Sequence, residues 1–138
     1  IGMVSYDNDV YINLPIAEFD LNQRSKFCGA VQNLTPGGQT ATYDAILVGL
    51  NMLDQVKQKD PQTKLMLFVL SDGQTNTGYE FDKVSKVAAG FNIPIYTIGY
   101  NADLEELSRI SSINEAASIN ADSDDVVYTL KNLFNAQM

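Results

Sequence analysis

Short apolar runs alternate with stretches of helical periodicity along the chain. Residues 1–6 and 10–16 are rich in β-forming side chains, and the polar Asp-Asn-Asp at residues 7–9 predicts the turn of a hairpin between them. Apolar residues then recur at helical spacing over residues 20–34, which predicts a helix. The apolar face of that helix is expected to comprise Leu21, Phe27, Cys28, Val31 and Leu34.

The second predicted helix follows a glycine-containing loop at residues 35–39. Thr40 is expected to be its N-cap, because a threonine oxygen can accept a hydrogen bond from a free N–H group of the first turn. The predicted apolar face is Ala41, Ala45, Leu47, Val48, Met52, Leu53 and Val56. The apolar run at residues 65–70 is then typical of a parallel strand buried on both faces, and it ends at the Ser-Asp-Gly of residues 71–73.

The remainder of the chain continues this alternation. Helices are predicted over about residues 80–91, 103–113 and 123–136, and strands over about residues 93–99 and 117–120. A hairpin followed by alternating strands and helices predicts an α/β fold with a mostly parallel sheet and one antiparallel edge strand. The length of 138 residues fits a single domain with its own core.

Composition narrows the possible chemistry. The chain has no His and one Cys, which removes the usual base of Ser-His and Cys-His hydrolases and leaves no ligand cluster for zinc. The single thiol, Cys28, is expected to be a small buried hydrophobe. With 9 Lys and Arg against 17 Asp and Glu, the net charge of -8 argues against nucleic-acid binding. No apolar run approaches the roughly 20 residues that span a bilayer.

Two polar residues lie at the ends of predicted elements, one after a strand and one before a helix. In such a sheet these ends meet at the same edge. Asp72 ends the most apolar strand, and Thr40 opens a helix. Ligands of open α/β sheets bind beyond the carboxyl ends of the strands. Carboxylate and hydroxyl oxygens suit Mg²⁺, and a helix N-terminus attracts an anion. These residue types alone leave a simpler interpretation open, in which Thr40 only caps a helix and Asp72 only begins a turn.

Three segments in this order resemble the von Willebrand factor type A domain. They are TPGGQTATYDAI at residues 35–46, FVLSDG at residues 68–73 and IPIYTIG at residues 93–99. The opening IGMVSY at residues 1–6 is similar to the second strand of that family, which precedes its hairpin. The resemblance covers essentially the whole chain, from the family's second strand to its last helix.

The resemblance implies a Rossmann-like, three-layer α/β/α fold and a non-catalytic module that binds proteins. Such domains carry a metal-ion-dependent adhesion site, in which an Asp-x-Ser-x-Ser motif, a Thr and an Asp hold a divalent ion, usually Mg²⁺. The Thr corresponds to Thr40 and the Asp to Asp72, whose side-chain oxygens we expect to lie about 4–7 Å apart around one hydrated ion. An acidic side chain of the protein ligand often completes the site.

No segment of the sequence matches Asp-x-Ser-x-Ser. We therefore interpret residues 1–138 as a single type A domain fragment whose first strand and first helix are expected upstream of Ile1. Two protein ligands would hold Mg²⁺ weakly, so tight binding is expected only in the intact parent. The family's first strand lies between residues 1–6 and 65–70. We expect its place to be taken by a strand from another copy or a separate chain, rather than by direct pairing of the two neighbours.

Other functions remain as alternatives. One is a structural module of the same fold with a decayed metal site. Another is a haloacid-dehalogenase-like phosphatase, in which Asp7 would attack phosphate, Asp9 would act as the acid, and Ser71 and residues 124–125 (Asp-Asp) would complete the site. The strand-like residues after Asp9 argue against it, and no Gly-x-Gly-x-x-Gly indicates a dinucleotide site. The composition fits a bacterial surface, secreted or cytoplasmic protein, and we favour an extracellular or cell-surface location.

Overall fold

The computed structural model describes residues 1–34, 41–71, 81–100, 104–113 and 118–121. Its elements in chain order are β1 (Met3–Tyr6), β2 (Val10–Leu14), α1 (Leu21–Gln32), α2 (Thr42–Lys59), β3 (Leu67–Ser71), α3 (Phe81–Phe91), β4 (Ile95–Tyr100), α4 (Leu104–Ser112) and β5 (Ser118–Ala121). They form two compact units. The first, here called the hairpin unit, contains β1, β2, α1, α2 and α3, and the second, the sheet unit, contains β3, β4, α4 and β5. The α/β alternation confirms the predicted fold class.

The predicted hairpin is confirmed. Strands β1 and β2 pair in antiparallel register, with Tyr6 opposite Val10 across the turn. The turn is closed by local polar chemistry, because the Asp9 N–H donates to Asp7 Oδ1 at 3.0 Å and the Asp7 N–H donates to the Asp9 carbonyl at 3.0 Å. Strand β2 ends at Leu14, because Pro15 has no N–H to continue the ladder.

Helix α1 begins and ends close to the predicted residues, but the prediction of its buried face is wrong. Its N-cap is Asp20, whose Oδ1 accepts a hydrogen bond from the Gln23 N–H at 2.8 Å. The buried residue of this helix is the polar Gln23. Of the predicted apolar face, Phe27 is half-buried, whereas the exposed members are Leu21, Cys28, Val31 and Leu34.

The physical reason is that Gln23 fastens α1 to backbone groups outside the strand ladder. Its Nε2 donates to the carbonyls of Ile1 at 2.9 Å and Pro15 at 3.0 Å. This places the polar side of the helix toward the hairpin. The expectation that Cys28 is buried is therefore wrong, and its thiol is free and exposed.

Helix α2 is the most buried helix among the described residues of the hairpin unit. Its buried residues are Thr42, Tyr43, Ala45, Ile46, Gly49 and Leu50. It packs against β1, β2 and α3, and the Tyr43 and Phe81 rings meet edge to face at 5.8 Å. Several members of the predicted apolar face are only half-buried, namely Leu47, Val48, Met52, Leu53 and Val56. Because α2 has neighbours on several sides, its buried residues do not form the single apolar face that the sequence predicts.

The sheet unit is parallel throughout its described strands, in the order β3-β4-β5. The central strand β4 carries the core, with Ile95, Thr97 and Ile98 fully buried. Helix α4 covers β4 and β5 and contributes the buried Ile110. Phe68 of β3 stacks on the neighbouring ring of Tyr96 at 5.4 Å.

Burial of β3 on both faces, predicted from its continuous apolar run, is wrong. Val69 is buried, but Leu70 is 51% exposed. The reason is position, since β3 is an edge strand of the described sheet and β4 takes the centre. Strand β1 is likewise at the edge of its two-stranded sheet. Direct pairing of the first strand with residues 65–70 is not among the pairings of the described strands.

The order of the later elements follows the sequence prediction. Helix α3 ends at Phe91, and Asn92 adopts a positive φ of 55°, which is a common way for Asn to terminate a helix. Strand β4 then begins at Ile95. The helix predicted over residues 123–136 lies outside the described residues, and the prediction that all 138 residues form one domain stays a prediction.

Candidate functional site

The two predicted metal ligands, Thr40 and Asp72, both lie outside the described residues. Their expected separation therefore stays a prediction. The residues next to them are described. Ala41 directly follows Thr40 and is the N-cap of α2, and Ser71 directly precedes Asp72 and ends β3. The expectation that Thr40 itself is the N-cap is wrong by one residue, and Ala41 offers no side-chain cap.

The N-terminus of α2 is tied to the hairpin turn. The Ala41 N–H donates to the Asp7 carbonyl at 2.9 Å, and Asp7 directly follows the carboxyl end of β1. Ala41, Thr42 and Tyr43 are all buried. Ala41, the residue after Thr40, is thereby anchored to the hairpin turn. Such anchoring is what a ligand-bearing segment needs if its side chain is to have a fixed position.

One hydroxyl at this helix terminus is buried. Thr42 is 1% exposed, and its Oγ1 has no hydrogen-bond partner among the residues that the structure describes. A buried unsatisfied polar group destabilises a protein by about 1–3 kcal/mol. The N–H of Thr42 is also one of the first four of the helix, which have no acceptor within the helix itself.

The hairpin turn concentrates negative charge beside Tyr11. The charge of Asp7 is the main cause that raises the pKa of Tyr11 above its usual value, followed by partial desolvation, a hydrogen bond to Asp7 and the charge of Asp9. The raised pKa favours the neutral phenol.

The geometry of the turn opposes the phosphatase alternative. Asp7 Oδ1 is engaged by the Asp9 N–H, and strand β2 begins at Val10, directly after the turn. A haloacid-dehalogenase-like site would need a loop and a helix at that point. Residues 124–125, which would supply its acidic pair, lie outside the described residues.

The residues fit a hard divalent cation by their chemistry. Thr40 and Asp72 offer only oxygen donors, and the unpartnered Oγ1 of Thr42 lies two residues from Thr40 in a buried, anchored turn. Within the described ranges, no group of three or more acidic, His or Cys side chains could hold a metal ion by itself.

Sequence reasoning missed Thr42. The signal was present, because Thr-Ala-Thr at residues 40–42 offers two hydroxyls at the start of a helix. The burial of the first turn makes the hydroxyl of Thr42 a buried group that needs a partner.

The hairpin, parallel strands and helices define a Rossmann-like α/β protein, and comparison with known proteins identifies the family. The family described as von Willebrand factor type A domain matches residues 1–136, so the chain belongs to the von Willebrand factor type A family. Domains of this family generally act as non-catalytic, protein-binding modules. No curated protein matches the sequence significantly.

Three solved structures share the fold at low sequence identity. A von Willebrand factor type A protein from Catenulispora acidiphila is 17% identical with a TM-score of 0.79, over 99% of this chain and 33% of that one. The conserved hypothetical protein BatB from Bacteroides thetaiotaomicron is 14% identical with a TM-score of 0.74, over 99% and 78% of the two chains. An aerotolerance-related membrane protein from Bacteroides fragilis is 15% identical with a TM-score of 0.72, over 99% and 79%.

These similarities establish the fold of this chain. Among its described helices, none combines the length and apolar character needed to cross a bilayer.

Proposed function

We propose that this domain is a non-catalytic adhesion or interaction module that binds a protein ligand through a divalent cation, with Mg²⁺ as the natural ion. Thr40 supplies a hydroxyl and Asp72 a carboxylate to that ion in the intact parent protein. The observation that carries the proposal is the family match over residues 1–136, together with the oxygen donors at the two matching positions.

The local structure supports a binding role for the Thr40 segment. The hydrogen bond from Ala41 to Asp7 fixes the residue after Thr40, and the N-terminus of α2 favours a negatively charged group. When bound, the cation would supply the positive charge that attracts an acidic side chain of the partner. An extracellular or cell-surface location fits this role.

The leading alternative is a structural module of the same family that binds no metal. It is favoured by one observation, because no segment of the chain matches Asp-x-Ser-x-Ser. Metal binding by the intact parent separates the two functions.

Calorimetry with Mg²⁺ on the full-length natural protein that contains these residues tests the proposal. We expect Asp72→Asn to weaken Mg²⁺ binding at least tenfold, because it removes a charged oxygen ligand without changing side-chain size. Glu18→Gln is the matched control, since Glu18 is an exposed carboxylate on the segment before α1. Equal affinity in Asp72→Asn and wild type would remove Asp72 from the site, and a wild type without affinity would favour the structural module. The 138-residue chain alone is expected to bind little Mg²⁺ at sub-millimolar concentration.

The edge of β3 that pairs with no other described strand supports a second kind of partner, a β-strand from another copy of the chain. The Leu67 N–H donates to the Pro94 carbonyl at 3.0 Å, and the parallel register pairs Leu67 with Ile95. Alternate residues of a parallel strand bond to the same neighbour, so the N–H and C=O groups of Leu70 point away from β4. The strand sequence LFVLS contains no charge or Pro to protect this edge.

The mass of the 138-residue chain in solution, measured by light scattering, tests this edge. We expect a dimer that Leu70→Lys converts to a monomer, because a charged side chain on an edge strand opposes strand addition. Val87→Lys is the control, since Val87 is an apolar residue with similar exposure on α3. A monomeric wild-type chain would contradict the proposal.

A further inference from the structure

Helix α1 presents apolar side chains to solvent along one side. Leu21, Cys28 and Val31 are all exposed, and their spacing of seven and three residues places them on the same side of the helix. Leu34, two residues after the helix, is exposed as well. Full burial of a Leu or Val side chain contributes about 1.5–3 kcal/mol. A partner that covers this side of α1 therefore gains apolar burial that the folded chain leaves unused.

Hydrogen bonds on the opposite side of α1 hold this orientation. Gln23 is buried, and its Nε2 donates to the carbonyls of Ile1 and Pro15. Because each residue advances about 100° around a helix, Gln23 lies about 200° from Leu21, on the opposite side. A rotation of α1 that buried Leu21 in the hairpin unit would break both hydrogen bonds. The apolar side chains are therefore held where a partner can reach them.

The charge of α1 is opposite to that of the chain. The helix contains Arg24 and Lys26 and no Asp or Glu, although the whole chain has a net charge of -8. Arg24 is exposed, three residues after Leu21 and four before Cys28, so it belongs to the apolar side. The carboxylate just before the helix, that of Asp20, already accepts a hydrogen bond from the first turn. Because Arg binds carboxylates through paired, charge-assisted hydrogen bonds, this side of α1 suits a partner that is both apolar and acidic.

The exposed residues on this side, here called the α1 face, are Leu21, Arg24, Cys28 and Val31. We propose that an acidic amphipathic helix of a partner protein docks on the α1 face. The spacing of three, four and three residues is that of the contact positions between two packed helices. At 1.5 Å per residue the face extends over about 15 Å, which matches about three turns of a partner helix. The backbone of α1 is bonded within the helix, so it offers no edge to a β-strand.

The distribution of charge favours this partner over a second copy of the chain and over a membrane. Two copies that met through their α1 faces in a symmetric dimer would bring Arg24 and Lys26 of both copies together, and like charges at an interface oppose association. An anionic bilayer would attract α1 but would repel the net charge of -8 on the chain. A single acidic helix contacts only the cationic helix.

Fluorescence anisotropy of two labelled peptides, with the intact natural protein in EDTA, tests the proposal. Each peptide is a helix of about 20 residues with a leucine stripe, flanked by Glu in one peptide and by Lys in the other. We expect the Glu peptide to bind at least tenfold more tightly than the Lys peptide, although the net charge of the chain alone favours the reverse. Arg24→Glu should weaken binding of the Glu peptide at least tenfold. Lys86→Glu, at an exposed lysine of α3, is the charge-matched control and should stay within about threefold of wild type.

The apolar part of the face has its own pair of variants. Leu21→Ser should weaken binding of the Glu peptide about fivefold or more, because it removes apolar contact area. Val87→Ser, at an apolar residue of α3 that is also exposed, is the matched control and should bind like wild type. Leu21→Ser that binds like this control would contradict the docking of an apolar stripe on α1.

Several other outcomes would overturn the proposal. These are tighter binding of the Lys peptide, no binding of either peptide, and an Arg24→Glu variant that binds the Glu peptide like wild type. Binding to phosphatidylglycerol vesicles in place of the Glu peptide would assign the α1 face to a membrane. Self-association that Leu21→Ser abolishes would assign it to a second copy. Because EDTA removes divalent cations, failure here leaves the proposed cation site standing, and failure to bind Mg²⁺ leaves the α1 face standing.

Discussion

Helices α1 and α2 pack in the same hairpin unit, yet different forces hold them there. In α1 the buried side chain is Gln23, which donates to two backbone carbonyls, while Leu21 at the helix start is 80% exposed. In α2 the first turns are buried, and Leu50 is fully so. Both segments show apolar residues at helical spacing. Periodicity therefore predicts that a segment is a helix. It does not predict whether apolar burial or hydrogen bonding holds that helix against the rest of the hairpin unit.

The largest effect on stability is expected when the same substitution, Leu to Ala, is compared in the two helices. Leu50→Ala in α2 is expected to lower the free energy of unfolding by about 2–5 kcal/mol, because it leaves a cavity in the core. Leu21→Ala in α1 is expected to change it by less than about 0.5 kcal/mol, because the side chain is already in solvent. Urea unfolding monitored by circular dichroism measures both. Similar losses in the two variants would contradict the comparison.

A second test removes the polar attachment of α1. Gln23→Ala should lower the free energy of unfolding by about 1–3 kcal/mol, because the Pro15 carbonyl loses the Gln23 donor and the Ile1 carbonyl keeps only the Ala17 N–H. Gln32→Ala, at the exposed end of the same helix, is the control. Urea unfolding again supplies the measurement. If Gln23→Ala unfolds like the control, apolar contacts and not Gln23 hold the helix.

The smallest effect on stability is expected at Cys28. Because the thiol is exposed on α1, Cys28→Ser should change the free energy of unfolding by less than about 0.5 kcal/mol. In the native protein the same thiol should react with a maleimide at a rate within tenfold of the urea-unfolded chain. A native thiol that reacts only on unfolding would restore the buried face predicted from the sequence.

The sequence by itself determined the order and approximate bounds of the described elements, because their signals are local. The Asp-Asn-Asp turn after β1, the Asp20 cap of α1 and the apolar run of β4 depend on residues within a few positions of each other. The resemblance to the type A family, which rests on three ordered segments, is confirmed by the family match over residues 1–136. The metal ligands Thr40 and Asp72 remain sequence predictions, because both lie outside the described residues.

Only the tertiary structure decided which faces are buried. Helix α1 turns a polar side inward because Gln23 donates to the carbonyls of Ile1 and Pro15, which lie 22 and 8 residues from it in sequence. Strand β3 has the more continuous apolar run. The central strand is nevertheless β4, which pairs with β3 on one side and β5 on the other. The structure also shows that the hydroxyl of Thr42 is buried, which its place in the sequence does not indicate. Burial depends on which segments contact each other in the tertiary structure, and local periodicity carries no information about those contacts.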